Sequence, residues 1–102
     1  MREQDIQRAI LDYLLWNKKF CWKQNTVGIR KPNGSYIPAS TTGIPDITCI
    51  IDGRYCGIEV KSKKGRLSDN QKEFQSKVEK AGGQYIVACA ISDVEHLIKN
   101  NL

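Results

Sequence analysis

Two carboxylates and a lysine, Asp46, Glu59 and Lys61, offer the clearest chemistry in this chain. They lie in the stretch Gly43-Ile44-Pro45-Asp46-Ile47-Thr48-Cys49-Ile50-Ile51-Asp52-Gly53-Arg54-Tyr55-Cys56-Gly57-Ile58-Glu59-Val60-Lys61. It reads as two short strands joined at Asp52-Gly53, the dipeptide most typical of a two-residue hairpin turn. That turn pairs Ile51 with Arg54, and counting back along both strands brings Asp46 opposite Glu59. Strand side chains alternate with period two, so Asp46, Glu59 and Lys61 share one face. The same count makes Asp46 and Glu59 a non-hydrogen-bonded pair, the closer kind, with Cβ atoms roughly 4.5–5.5 Å apart. Carboxylates opposed in this way repel unless something positive sits between them.

A divalent cation together with a lysine meets that requirement. Asp46 and Glu59 supply hard oxygen ligands of the kind Mg²⁺ and Mn²⁺ prefer, alongside water and substrate phosphate, and the backbone carbonyl of Val60 is within reach of the same ion. Such an ion lowers the pKa of a bound water and neutralises charge on a scissile phosphate. Lys61 can orient or help deprotonate that water, or stabilise the developing charge. Gly57, on the same face, leaves room for a backbone or ligand to approach.

The elements that must position these groups follow from periodicity. Residues from about Arg2 to Phe20 read as a helix whose core stripe is Ile6, Ala9, Ile10, Tyr13 and Leu14, widened by Leu11, Leu15 and Trp16. Glu3 extends this stripe one turn before Ile6, so it either points inward to the sheet or serves as an ordinary first-turn acid. Cys21 to Ile29 reads as a strand with Trp22, Gln24 and Thr26 on one face. Arg30 to Gly43 is a loop of turn formers, in which Asn33-Gly34 can turn a small hairpin carrying Tyr36. After the central hairpin, Ser68-Asp69-Asn70-Gln71 matches a helix N-cap with a capping-box glutamine. That helix runs to about Ala81 and stops at Gly82-Gly83. Gln71 also begins its buried stripe with Phe74, Val78 and Ala81. Gln84 to Ala90 is a buried-looking strand (Tyr85, Ile86, Val87, Ala88). Ser92-Asp93-Val94-Glu95 caps a last short helix with Val94, Leu97 and Ile98 inward and His96 outward. The order is α-β-β-β-α-β-α, in which Arg54 to Ala90 forms a strand–helix–strand unit with right-handed parallel crossover. The expected fold is α/β, a mixed four-stranded sheet flanked by helices, with residues 1–102 as one domain.

Composition narrows the class. Charged residues at 26% and hydrophobic ones at 40% are ordinary for a globular protein. No apolar run approaches the ~20 residues that cross a bilayer, and the N-terminus lacks the basic start and apolar run of a signal peptide, so a cytosolic setting is expected. Four cysteines stand alone with only His96 as a nitrogen partner, a poor zinc site. The hairpin register sets Cys49 against Cys56, but reduced thiols fit a cytosolic chain better than a disulfide. The net charge of +5 is unevenly spread. No carboxylate occurs between Asp12 and Asp46, where Lys18, Lys19, Lys23, Arg30 and Lys31 fall. A second basic cluster, Lys61, Lys63, Lys64 and Arg66, follows the carboxylates directly. Basic patches beside a carboxylate site suit a polyanion that must approach a metal. Tyr36 could stack on a base or sugar there, or be a plain surface tyrosine.

Ile44-Pro45-Asp46 followed by Ile58-Glu59-Val60-Lys61 resembles the signature of the PD-(D/E)xK nuclease superfamily. Gly43-Ile44-Pro45-Asp46, Glu59-Val60-Lys61 and Leu67-Ser68-Asp69-Asn70-Gln71, after an N-terminal helix with an early glutamate, are similar to its VRR-NUC family. The resemblance spans essentially the whole chain, although the "VRR" tripeptide is not visible. It implies a restriction-endonuclease-like fold, Asp46 and Glu59 as metal ligands, and Lys61 as the catalytic lysine. It further implies Glu3 as the helix glutamate that assists metal binding, and Gln71 as a glutamine supporting the active site or DNA backbone. Stand-alone members resemble Holliday junction resolvases, which act as homodimers on branched DNA. The resemblance thus implies a Mg²⁺- or Mn²⁺-dependent structure-selective endonuclease leaving 5′-phosphate ends. Its expected DNA contacts are Arg30, Lys31, Tyr36, Thr41, Thr42, Lys63, Lys64 and Arg66. The rival from another class is a non-catalytic nucleic-acid-binding module, which leaves the opposed carboxylates unexplained.

Overall fold

A computed structural model describes residues 2–24, 29–30, 32–37 and 42–98. Helix α1 spans Glu3–Trp16 and is followed by β1 (Phe20–Lys23), β2 (Ile29–Arg30) and β3 (Tyr36–Ile37). The central hairpin is β4 (Ile47–Ile51) and β5 (Arg54–Val60), after which come α2 (Asp69–Lys80), β6 (Gln84–Ala88) and two single 3₁₀ turns, Ile91–Asp93 and Glu95–Leu97.

The main sheet has four strands in the order β1-β4-β5-β6. β1 and β5 run antiparallel to β4, and β6 runs parallel to β5, so the sheet is mixed as expected. Asp52 (φ 53°) and Gly53 (φ 79°) both take positive φ, the requirement of a type I′ hairpin turn. The resulting register pairs Ile51 with Arg54, Cys49 with Cys56 and Ile47 with Ile58. The second small hairpin also forms, with Arg30 in register with Tyr36 and Gly34 in the turn at φ 91°.

Alternation divides the sheet into two faces. One carries Cys21, Ile47, Cys49, Cys56, Ile58, Val60 and Ala88, which form the core with Ile6, Ile10 and Leu14 of α1 and with Val94 and Leu97. Leaving Ile10 or Leu14 in water would forgo about 1.5–3 kcal/mol each, so this stripe fixes α1 to the sheet. Cys21, Cys49 and Cys56 lie side by side across three strands as free thiols, and Cys89 is a half-buried fourth. The hydrogen bond to Cys56, together with burial, holds the Cys49 thiol well above the usual thiol range, so it behaves as a small neutral core residue. The other face carries Thr48, Gly57, Glu59 and Tyr85, with α2 laid over part of it through the Phe74–Tyr85 ring contact, centroids 6.3 Å apart. No described helix is long and apolar enough to cross a membrane.

Several expected boundaries shift. The first helix ends at Trp16, because Lys18 adopts φ 61° and the N–H groups of Lys18 and Lys19 return to the carbonyls of Leu15 and Leu14, a Schellman-type stop. The core stripe is narrower than the sequence suggested, with Leu15 at 48% and Trp16 at 86% exposure. At about 100° per residue, Trp16 points away from the face that Leu14 buries. The strand expected over Cys21 to Ile29 appears as the separate pieces β1 and β2, and Thr26 lies outside the described residues. Val87, read as buried, is open because β6 is an edge strand and α2 covers only its Tyr85 end. The last helix is replaced by the two 3₁₀ turns. All its described backbone bonds close three residues back, and Asp93, not Ser92, anchors it by accepting from the Cys89 and Ala90 N–H groups.

Candidate active site

Asp46 ends the loop entering β4 and is held from two sides. Its carbonyl accepts from the Gln24 N–H at 2.8 Å, and its Oδ2 accepts from the Val60 N–H at 2.8 Å. This places the carboxylate across the hairpin one step beyond the Ile47–Ile58 pair, level with Glu59, as the turn predicted. The loop before it is fitted to α2. Gly43 takes φ +80°, and a Cβ there would run into the backbone carbonyl of Asn70 in the first turn of the helix. Gly43-Ile44-Pro45-Asp46 and Ser68-Asp69-Asn70-Gln71 are therefore halves of one packing unit. Gly57 also has a use different from the expected one. A Cβ there would lie 2.6 Å from Pro45 Cγ and 3.0 Å from the Tyr55 hydroxyl, so its missing side chain admits Pro45 rather than a ligand.

Glu59, in the central strand, is only 4% exposed. Its Oε2 lies 3.5 Å from Lys61 Nζ, long for a charge-assisted contact, while its Oε1 is buried without a hydrogen-bond partner. Burial first, and then the Asp46 charge, push its pKa up to about 7 against the weaker pull of Lys61. The Tyr85 hydroxyl is the other described buried side-chain polar atom without a partner. Burial first, and then the Glu59 and Asp46 charges, raise the Tyr85 pKa as well, so the phenol stays protonated. From sequence Tyr85 read as a core residue; its place beside Gly57 depends on the parallel β5–β6 register, for which no turn supplies a count.

Lys61 follows β5 directly, with its N–H on the Ala88 carbonyl at 3.0 Å. The next residues turn back over it: the Gly65 N–H donates to the Ser62 carbonyl, and a Cβ on Gly65 would touch Lys61 Cβ at 3.1 Å and Glu3 Oε2 at 3.3 Å. Glu3 is exposed and reaches the loop after β5 rather than the sheet. Its Oε2 accepts from the Ser62 N–H at 3.2 Å, tying α1 to the loop that holds Lys61. It does not join Asp46 and Glu59 as a third converging acid, since among the described residues no group of three or more His, Cys, Asp or Glu could hold a metal.

Gln71 completes the capping box: its Oε1 accepts from the Ser68 N–H at 2.9 Å, and its own N–H donates to Ser68 Oγ at 3.2 Å. Lys63, Lys64, Arg66 and Thr42 are exposed, the three cations following Lys61 closely. Arg30 and Tyr36 are placed by their backbones in the small hairpin, and Lys31 and Thr41 lie outside the described residues. A cleft of ≈ 790 Å³ between α2 and the hairpin turn, lined by Arg54, Tyr55, Phe74 and Lys77, contains none of Asp46, Glu59 or Lys61.

The donor set suits a hard divalent cation. Two carboxylates lie together, one with an unpaired buried oxygen and a raised pKa, and an octahedral ion takes one or two carboxylates and completes its shell with water and phosphate. Residues 34–90, more than half of the chain, match the family model described as the VRR-NUC domain, and the match contains Asp46, Glu59, Lys61 and Gln71 but not Glu3. No curated protein sequence matches the chain.

Proposed function

The chain belongs to the VRR-NUC family, whose domain implies a nuclease-type function, and we propose that it is a Mg²⁺- or Mn²⁺-dependent endonuclease acting on branched DNA. The observation that carries this reading is Glu59: a carboxylate buried beside Asp46, pushed up to a pKa of about 7, with one oxygen unpaired. A strand core has no use for such a group, and a cation site does. Asp46 and Glu59 would hold the ion with the Val60 carbonyl, and Glu3 would assist from α1 indirectly, by holding the Ser62 N–H in the loop that follows Lys61. When bound, the ion supplies charge neutralisation and Lewis-acid polarisation of the phosphate.

The chain's own residues account for the rest. Asp46 is locked by the Val60 N–H, so its second oxygen has a fixed direction. Lys61 is half-buried, its stem packed under Gly65, and its Nζ reaches the site from the Glu59 side. There it orients a water for in-line attack or stabilises charge on the phosphate, leaving 5′-phosphate and 3′-hydroxyl ends. Gln71 supports the site through its amide nitrogen while its oxygen caps α2. Arg30, Lys31, Tyr36, Thr41, Thr42, Lys63, Lys64 and Arg66 contact the DNA, chiefly its phosphates, which positions rather than reads sequence. The whole chain serves as one nuclease domain in a cytosolic protein, and two symmetric cuts in a junction call for a homodimer.

The test compares cleavage of four-way, flap and linear duplex DNA with Mg²⁺ or Mn²⁺, with a molar-mass measurement on the same sample. Preferred cleavage of branched DNA by a dimer is expected. Equal cleavage of linear duplex would remove the structure selectivity, and binding of DNA without cleavage under either ion would favour the non-catalytic module.

A further inference from the structure

Two buried polar atoms on one face of the sheet are unpaired among the described residues, Glu59 Oε1 and the Tyr85 hydroxyl. We propose that Tyr85 is a positioning residue of the cation site: once a bound ion keeps Glu59 ionised, the Tyr85 hydroxyl donates a hydrogen bond to Glu59 Oε1 and leaves Oε2 on the Lys61 side. The inference rests on the metal-nuclease reading above and assigns a function to a residue which that reading does not use.

The placement argues for it. In the parallel β5–β6 ladder Tyr85 is level with Gly57 and Val87 with Glu59, so Tyr85 lies one same-face step along the adjacent strand from the carboxylate. Both side chains are closed to solvent, Tyr85 at 6% and Glu59 at 4% exposure. The Tyr85 ring is held by Phe74 of α2, with planes tilted at 53°, so the helix fixes where the hydroxyl lies. The two atoms are chemically complementary. An ionised carboxylate only accepts, and a phenol can donate. The terminal torsion of a glutamate is broad, so Glu59 can turn Oε1 to the phenol at little cost. The opposite oxygen already has a different neighbour, Lys61 Nζ at 3.5 Å, which separates an inner oxygen from an outer one. Ligating carboxylates are themselves hydrogen-bonded in well-built metal sites, and loss of such a partner weakens metal affinity by about 10–100-fold.

The experiment measures Mn²⁺ binding by titration calorimetry for the full chain, Tyr85→Phe and Tyr55→Phe, with metal-free melting curves and DNA cleavage on the same preparations. Tyr55 is a second half-buried phenol on this face, beside Thr48 rather than assigned to the carboxylates, and serves as the control. Tyr85→Phe should bind Mn²⁺ about 10–100-fold more weakly, melt without metal at the wild-type temperature or above, and regain cleavage when Mn²⁺ is raised to saturation. Tyr55→Phe should bind Mn²⁺ as wild type does. An unchanged Mn²⁺ affinity in Tyr85→Phe, an equal loss in Tyr55→Phe, a lowered metal-free melting temperature that accounts for the loss, or no Mn²⁺ binding by the wild type would each overturn the assignment. If the wild type binds Mn²⁺ and Tyr85→Phe weakens it as expected while no DNA is cut, the nuclease reading fails and the role of Tyr85 stands.

Discussion

Glu59 makes the stability of the metal-free protein depend on pH in a direction that can be worked out. Its pKa rises from an ordinary 4.5 to about 7 in the fold, so the folded state holds a proton that the unfolded chain has already released. The stability tied to that proton is fully present below pH 4.5, declines between the two values and is lost above about pH 7. At about 1.4 kcal/mol per pKa unit the decline amounts to roughly 3 kcal/mol, a large part of the 5–15 kcal/mol typical of a small domain. Glu59→Gln keeps the shape and removes the titration. Urea denaturation of metal-free wild type and Glu59→Gln near pH 4.5 and near pH 8 isolates the effect from other titrating groups. The advantage of the variant should grow by roughly 3 kcal/mol between the two conditions. Added Mn²⁺ at alkaline pH should restore the wild type and leave the variant unchanged, because only the ionised carboxylate gains from the ion. Parallel pH curves for the two proteins would refute the reasoning, since they would show that burial and Asp46 exert no such pressure on Glu59.

Two further outcomes concern the supports of the site. Gly43→Ala requires φ near +80° and places a Cβ against the Asn70 carbonyl, so it should cost about 2 kcal/mol or more and lower Tm by roughly 8–16 °C; a melting curve within two degrees or so of wild type would contradict that fit. Gln71→Glu preserves the capping box, so thermal stability should hold, while cleavage falls if the amide nitrogen serves the site; unchanged cleavage would leave Gln71 as a cap alone.

The parts legible in the sequence are those governed by local chemistry. Asp52-Gly53 is a turn that fixes its own register, and every pairing up to Asp46 and Glu59 follows from it by counting. Ser68 with Gln71, and Gly82 at the end of α2 with φ 91°, act within a few residues and are equally readable. What escaped depends on contacts between distant segments. Gly57 looked like room for a ligand because nothing local says that Pro45 fills it. Glu3 read equally well as an inward residue or a first-turn acid, and its partner, the Ser62 N–H, lies 59 residues away. Tyr85 was hidden in an apolar run, because its neighbours are set by how α2 returns the chain to β5. The final helix failed for a different reason: a segment this short gains little from i→i−4 bonds, and the Asp93 carboxylate draws the backbone into tighter turns.

The central claim is that Asp46, Glu59 and Lys61 form one hydrolytic site, and single-turnover cleavage of a four-way junction with saturating Mn²⁺ tests it most directly. Asp46→Ala and Lys61→Ala, each shown to be folded by circular dichroism, should lose at least about a hundredfold in rate while still binding the junction. Undiminished cleavage by both variants would contradict the account.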